Sequence, residues 1–359
     1  MNPKYRGIRK SAQEAQRIAH MIAFAPVVFQ VSRLMAEYGI FGMLEEAGRK
    51  KPAGMTAAEV ASAAGLSEYA AKILLESSLT AGTVFLNDGR YTISKTGWFL
   101  LNDDMVRSDM NFNQDVNYRG LFHLDEALRT GKPAGLKELG DWPTLYEGLS
   151  EMPDNVRKSW FGFDHFYSDS SFGEALEHLK ASAPASILDI GGNTGRFALK
   201  CVSALENVKV TVMDLPKQIR MLKENIAGHP GAERIGTYSG DLLDPATSIP
   251  GGFDIVWMSQ FLDCFSEEQV ISILSRVAAS IGNETEVFIM ETLWDRQKFE
   301  TASFDLTQTS VYFTAIANGN SKMFSGGDLF AMIEKSGLRI SEVTDGLGYG
   351  HSLVKCERA

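Results

Sequence analysis

The residues with the most chemistry to offer lie in one run, Ser186-Ile187-Leu188-Asp189-Ile190-Gly191-Gly192-Asn193-Thr194-Gly195. A short apolar strand carrying an acid runs into a glycine-rich turn, and a helix is expected to follow. Glycines let the backbone approach a ligand closely, and the open end of a first strand is where doubly wound sheets bind nucleotides. A dinucleotide fingerprint, G-x-G-x-x-G, would need glycines at 193 and 196, where Asn193 and Arg196 stand. No G-x-x-x-x-G-K-[ST] occurs, so this is not a P-loop. A D-x-G-G-x-x-G turn suits a ligand without a pyrophosphate, with Asp189 meeting a positive group. Asp214 closes the second strand, where its two oxygens could accept both hydroxyls of a ribose. Asp241 follows a third strand expected at 236–239 and could accept from an adenine amino group, and Ser259 ends the fourth strand. Alone, each of these reads as a loop turn. Three acids at successive strand ends, with a glycine turn at the first, predict a nucleoside site.

The elements that must position these residues are legible in the second half of the chain. Apolar strands are expected at 186–190, 209–213, 253–258 and 287–290, with helices near 195–206, 216–227 and 266–281. Ser266-Glu267-Glu268-Gln269 and Ser325-Gly326-Gly327-Asp328 supply helix caps. Continuous apolar strands interleaved with helices predict an α/β domain with a parallel sheet covered on both faces. The first half reads differently. Residues 12–46 carry apolar side chains at helical spacing, more of them than one exposed helix needs. Thr56-Ala57-Ala58-Glu59 is a capping box, Ser67 caps a second helix that Gly82 ends, and a hairpin turns over Asp88-Gly89. Helix, turn, helix and hairpin spell a winged helix. Residues 121–179 between the halves look helical and aromatic-rich.

Composition narrows the classes. The 359 residues are 44% hydrophobic and 22% charged, enough for two or three domains with real cores. A net charge of −10 argues against a general nucleic-acid or membrane-surface binder. Cys201, Cys264 and Cys356 have no disulfide or zinc spacing, and the six histidines are scattered, so no metal site is expected. The apolar run at 21–31 contains Pro26 and Gln30 and falls well short of the about 20 residues a span needs. The basic stretch at 4–10 is separated from it by ten residues, unlike a signal peptide. A cytoplasmic protein is expected.

The string Asp189-x-Gly191-Gly192-x-Thr194-Gly195, then Asp214-Leu215-Pro216, then Gly240-Asp241, resembles the S-adenosylmethionine-dependent methyltransferases. More narrowly it resembles the small-molecule O-methyltransferases that include caffeate, hydroxyindole and bacterial polyketide or phenazine methyltransferases. The resemblance implies a winged-helix dimerisation domain (1–105), a helical linker lining the pocket (106–180) and a Rossmann-like class I methyltransferase domain (181–359). It implies a homodimer, a small aromatic hydroxylated acceptor, and S-adenosylmethionine as cofactor. Carried over by position, Gly191 would meet the methionine part, Asp214 the ribose, and Asp241 with Leu242 the adenine. Asp189, Gly192, Gly195, Leu215 and Ser259 complete the expected cofactor set. The family's catalytic histidine position holds Asp263, and Cys264 stands where an acid usually follows. Of the two acids that flank that histidine, Glu291 matches, while the other falls near Ser321 and is missing. Asp263 and Glu291 are the expected catalytic pair. Phe163, His165, Tyr167 and Tyr312 are the expected acceptor-pocket residues, against the plainer reading of a packed aromatic core. Cys264 is expected to be a buried small hydrophobe.

Two rival functions follow from the same residues. A winged helix often binds DNA, but the would-be recognition helix carries Lys72 with Glu68 and Glu76, the wrong sign for phosphate contacts. The altered Asp263–Cys264 segment leaves open an enzyme that binds S-adenosylmethionine without transferring its methyl group.

Overall fold

The computed structural model describes residues 10–359, and its backbone contacts divide the chain into two compact units, separated in sequence between Asn111 and Phe112. All but Lys10 of the basic stretch at 4–10 lies outside the described residues.

In the N-terminal unit the apolar run at 12–46 forms three helices, Ala12–Ala23, Ala25–Glu37 and Ile40–Gly48. Ser11 and Glu14 make a reciprocal capping box at the first. Pro26 sits in the first turn of the second, where its missing N–H costs nothing, and the two axes bend by 70°. No single helix among the described residues is long and apolar enough to cross a membrane. Helix Ala57–Ala64 starts on the Thr56–Glu59 capping box, and helix Glu68–Ala81 starts on Ser67 and ends on Gly82 at φ +82°. The only cation of that second helix, Lys72, pairs with Glu68 one turn back. The hairpin β1 (Val84–Asn87) and β2 (Arg90–Ile93) turns over Asp88 and Gly89, both at positive φ, as a tight two-residue loop requires. Met35, Phe41, Leu44, Leu75 and Val84 form the core of this unit. Helix Lys95–Asn102 follows, where the sequence reading placed no element, and then helix Asp104–Phe112, where the helical linker was expected to begin.

The C-terminal unit is built on a seven-stranded sheet. Its strands are β3 (Ser186–Ile190), β4 (Lys209–Asp214), β5 (Ile235–Ser239), β6 (Ile255–Ser259), β7 (Glu286–Glu291), β8 (Leu338–Leu347) and β9 (His351–Arg358). The order is β5-β4-β3-β6-β7-β9-β8. The first five run parallel, while β9 pairs antiparallel with both β7 and β8. The expected start of β6 at 253 is two residues early. Asp254 instead accepts from the amides of Ala185 and Ser186 and ties the N-terminal ends of β3 and β6 together.

Alternate residues of each strand face opposite cores, as the pleat dictates. Leu188, Ile190, Val256 and Met258 pack under helices Glu267–Ser280 and Gly326–Lys335. Ile187, Val210, Trp257 and Phe288 pack under Arg196–Ala204, Pro216–Ile226 and the 27-residue helix Asp154–Lys180. That long helix also joins a third cluster with Phe112, Trp160, Tyr312 and Phe313. Residues 112–180 therefore belong to the same compact unit as the sheet rather than forming a body of their own. The chain steps outward from β3 to β4 and β5, then returns to lay β6 on the other side of β3. The crevice outside the C-terminal ends of β3 and β6 is this switch point, where open α/β sheets bind ligands.

Candidate active site

The switch-point crevice is lined by Asp189, Gly191, Gly192, Ser259 and Gln260 from the strand ends and by Asp164 and His165 from the long helix. Asp189 is 2% exposed, and its Oδ2 has no hydrogen-bond partner. Burial, with the nearby Asp214 charge, pushes its carboxyl up to about 8. Gly191 sits at φ +77°, and a Cβ there would lie 2.2 Å from the Phe261 ring. A Cβ on Gly192 would lie 2.6 Å from Asp189 Oδ2, so the turn admits no side chain at either position. Gly195 does something else: at φ +80° it precedes helix Arg196–Ala204 and lies against Leu222 and Ile226. It permits helix Pro216–Ile226 to pack closely on the glycine turn.

Asp214 accepts from the Asn193 amide through Oδ2 (2.9 Å) and from the Leu215 amide through Oδ1 (2.7 Å). It therefore ties the β4 end to the glycine turn, with one lone pair on each oxygen left for a ligand. Burial raises its carboxyl to about 6 against those two amides. Leu215 leads into helix Pro216–Ile226. Asp241 is exposed, and its Oδ1 accepts from the Leu243 amide at 2.8 Å. Leu242 needs a correction: its side chain is 8% exposed in the core, and its carbonyl accepts from Arg276. Only its backbone edge remains for an adenine.

The segment after β6 is held from several directions. Gln260 lies at φ +45°, unusual for a residue with a side chain, and its amide donates to the Met290 carbonyl. Its Oε1 lies 3.1 Å from His351 Nε2, and His351 Nδ1 lies 2.6 Å from Ser171 Oγ. Because an amide oxygen only accepts, Nε2 carries the proton and Nδ1 accepts from the serine hydroxyl. His351 is fully buried, and burial pushes it down to about 4, so it stays neutral. Glu291, at the end of β7, accepts through Oε1 from the amides of Phe261 (3.0 Å) and Leu262 (2.8 Å). Its Oε2 has no partner. Asn318 Nδ2 donates to the Cys264 carbonyl and to Ser321 Oγ. The place expected for a second acid is thus taken by an Asn–Ser turn gripping the same loop.

That loop presents Asp263, which is 4% exposed. Burial raises its carboxyl, and burial with the Asp263 charge raises Glu291 well above the usual carboxylate range. Cys264 is half-buried rather than a core residue, and its Sγ donates to Asp263 Oδ1 at 3.5 Å.

The expected acceptor-pocket residues divide. His165 faces the crevice 3.5 Å from Thr194 Oγ1 and is held neutral, pushed to about 4 by burial and Arg196. Phe163 stacks on Phe112 (4.1 Å, 11°), and Tyr167 is buried against Phe163 and Phe166. Tyr312 is 5% exposed and accepts from Trp160 Nε1 at 2.7 Å. Phe163, Tyr167 and Tyr312 are therefore packed in the aromatic cluster, and His165 is the one that reaches the crevice. Asp164, unnoticed beside His165, lines it too, raised to about 7 by burial and by the charges of Asp263 and Asp169. Asp164 stands between Phe163 and His165, and an acid set among rings is the sequence signal that marks it. Gln260, His351 and Asn318 gave no local signal, since Ser171 lies 180 residues from His351.

Comparison with known proteins places this geometry. Residues 16–91 match the Dimerisation2-like domain family, and residues 166–335 match the O-methyltransferase domain family. An L-tyrosine C(3)-methyltransferase of Streptomyces lavendulae is 24% identical over 320 residues, covering 88% of this chain and 85% of its own. A 3-hydroxy-5-methyl-1-naphthoate 3-O-methyltransferase of Streptomyces sahachiroi is 26% identical over 265 residues, covering 73% of each. Among solved structures, the S-adenosylmethionine-dependent methyltransferase SibL in its apo form is 25% identical with TM-score 0.69, covering 94% of this chain and 98% of its own. The mitomycin 7-O-methyltransferase MmcR gives TM-score 0.73 at 21% identity, covering 97% and 98%. With a dimerisation domain leading into this sheet and its glycine turn, the chain belongs to the S-adenosylmethionine-dependent O-methyltransferase family.

Proposed function

We propose that this enzyme methylates a hydroxyl group of a small aromatic molecule, with Asp263 as the proton acceptor. The observation that carries the reading is the placement of a buried carboxylate, Asp263, on a loop tied to the end of β7 beside the cofactor crevice. The crevice suits S-adenosylmethionine. Asp189 Oδ2, Asn193 Oδ1 and Ser259 Oγ are buried polar atoms without partners, and Gly191 and Gly192 leave the backbone bare. Asp189, Gly191, Gly192 and Ser259 would hold its methionine end, Asp214 its ribose, and Asp241 with the Leu242 backbone its adenine. Bound there, its sulfonium supplies an electrophilic methyl carbon.

The chain's own residues orient the acceptor, exclude water and take a proton. Asp263 must be ionised to accept the hydroxyl proton. Burial raises its affinity for that proton and narrows the gap to a phenol, which ordinarily loses its proton near 10. Glu291 acts one step back, fixing the loop through two amides.

Incubating the protein with S-adenosylmethionine and a panel of phenols and hydroxyquinones tests the reading. A methylated product is expected by mass, and no product with any of them, together with no binding of either S-adenosylmethionine or S-adenosylhomocysteine, overturns it. Proton resonances of the product distinguish O-methyl from C-methyl, the second outcome being suggested by the relative that acts at C(3) of tyrosine.

The functional unit proposed is a homodimer. Helix Ala12–Ala23 buries none of its residues, and Ile22, Phe24 and Val27 are each more than half exposed. A two-fold contact through this face would cover them. Light scattering at micromolar concentration should give twice 39.4 kDa, and a monomer would reject the dimer. The three free cysteines are consistent with a reducing compartment, the cytoplasm.

A further inference from the structure

One wall of the switch-point crevice is built by two neighbouring strands. Asp189 of β3 stands opposite Trp257 of β6 in the parallel register, and the pleat puts Ser259, two residues on, on the same face as Trp257. All three line the crevice, together with Asn193 of the glycine turn. Asp189 and Trp257 are buried, the indole completely. Yet Asp189 Oδ2, Asn193 Oδ1, Trp257 Nε1 and Ser259 Oγ are all without a hydrogen-bond partner. A buried polar atom left unpaired costs free energy that a ligand reaching it recovers, and four of them around one crevice mark a prepared site.

The four atoms divide by what they can offer. The Asn193 oxygen accepts, as does the Asp189 carboxylate when ionised, whereas the indole N–H of Trp257 only donates and the Ser259 hydroxyl can donate. Phe197 stacks on the Trp257 ring, with centroids 4.1 Å apart at 12°, and fixes its plane. The two basic side chains that line the crevice are both engaged or uncharged: Arg196 pairs with Asp169, and His165 is held neutral by burial. A carboxylate entering here is therefore met by neutral donors, and an ammonium by oxygen acceptors. The crevice volume of about 60 Å³ has room for about four or five water-sized groups, the size of an amino-acid end and far short of a nucleoside.

We propose that Trp257 is a cofactor-binding residue: its indole N–H and the Ser259 hydroxyl donate to the carboxylate of the cofactor's amino-acid end, while Asp189 and Asn193 accept from the ammonium of that same end. The inference rests on the methyltransferase reading and deepens it to a zwitterion whose carboxylate is held without an arginine or lysine. Selectivity follows from the pairing. A ligand that carries only one of the two charges leaves either the donors or the acceptors buried and unpaired.

The test is calorimetry on the full-length protein with three ligands that cannot turn over. They are S-adenosylhomocysteine, its analogue without the carboxylate (S-adenosyl-3-thiopropylamine), and 5′-methylthioadenosine, which lacks the whole amino-acid end. The wild type is expected to bind S-adenosylhomocysteine at least about tenfold tighter than the carboxylate-free analogue, or about 1.4 kcal/mol. Trp257→Phe keeps a ring against Phe197 but removes the N–H, and Ser259→Ala removes the hydroxyl. Each is expected to weaken S-adenosylhomocysteine about tenfold and to leave the other two ligands within about threefold, which also reports that the variants are folded. Equal wild-type affinity for the first two ligands overturns the proposal, as does unchanged S-adenosylhomocysteine affinity in Trp257→Phe. Equal weakening of all three ligands by that substitution, complete loss included, overturns it too, because the indole would then act only through packing. Failure of the wild type to bind S-adenosylhomocysteine and 5′-methylthioadenosine would instead count against the methyltransferase reading.

Discussion

The two sides of the crevice are built by different means. The cofactor side is local: β3, its glycine turn and the next helix lie within 19 consecutive residues, and Asp214 closes the adjacent strand. Its groups are aimed by strand register and by one side chain bonding to neighbouring amides. The acceptor side is assembled from afar. The loop 260–264 is held by Glu291, His351 and Asn318, which come from three other segments. A locally built site tolerates change elsewhere in the chain, whereas a site tied together at long range concentrates sensitivity in residues that never touch the substrate.

Substitutions on the two sides should therefore fail differently. The largest effect is expected at Asp263. Asp263→Asn should lower kcat by about 10²-fold or more while leaving S-adenosylmethionine affinity intact. The wild-type rate should fall as pH drops through the raised pKa of Asp263, an acidic limb lying above the ordinary carboxylate range, and the variant should lack that limb. A kcat within a few-fold of wild type across pH 6 to 9 would remove the base role. On the cofactor side, Asp214→Ala should weaken S-adenosylmethionine binding by about 1.5–3 kcal/mol in calorimetry, by loss of charge-assisted hydrogen bonds and loosening of the Asn193 turn.

A smaller effect sharpens the contrast. His351→Phe keeps an aromatic ring but removes the proton that fixes Gln260. The kcat should fall about tenfold with little change in S-adenosylmethionine affinity, and His351→Gln should restore part of it. Equal losses in kcat and cofactor affinity would mean general loosening of the fold. The smallest effect is one of stability. Because the folded protein favours neutral Asp189, with its pKa about 8, this group's contribution to stability is full below pH 4 and is lost as pH rises towards 8. Asp189→Asn should gain Tm relative to wild type on going from pH 5 to pH 8. A difference that is flat with pH would mean that Asp189 ionises freely in the apo protein.

The same contrast explains what could be read from the sequence. The parallel strands are buried on both faces and appear as continuous apolar runs, and the caps at Thr56, Ser67 and Ser266 are local patterns, so these were legible. β8 and β9 were not. β8 is an edge strand, Leu338–Leu347, whose many exposed polar residues mask the period-two signal, and both depend on pairing across the sheet. Asp189 and Asp214 announced themselves by position at strand ends, whereas Asp263 was marked only by the family resemblance, which sets it where a histidine is usual. The grip of Gln260 by His351 and Ser171 joins residues 91 and 180 apart, and no spacing rule reaches that far. Gly195 and Leu242 also carry packing tasks, against Leu222 and Ile226 and in the core, which a motif does not announce because it specifies backbone shape without saying where side chains go.

Helix Ala12–Ala23 has a consequence for handling the protein. Twelve residues are too few for a helix to persist in water on its own propensity, since nucleation is costly and few bonds repay it. With none of its own residues buried within the chain, its helicity must be lent by whatever covers Ile22 and its neighbours. If a second copy is the cover, far-ultraviolet ellipticity and melting temperature should both decline on serial dilution, by mass action, while the sheet unit keeps its signal.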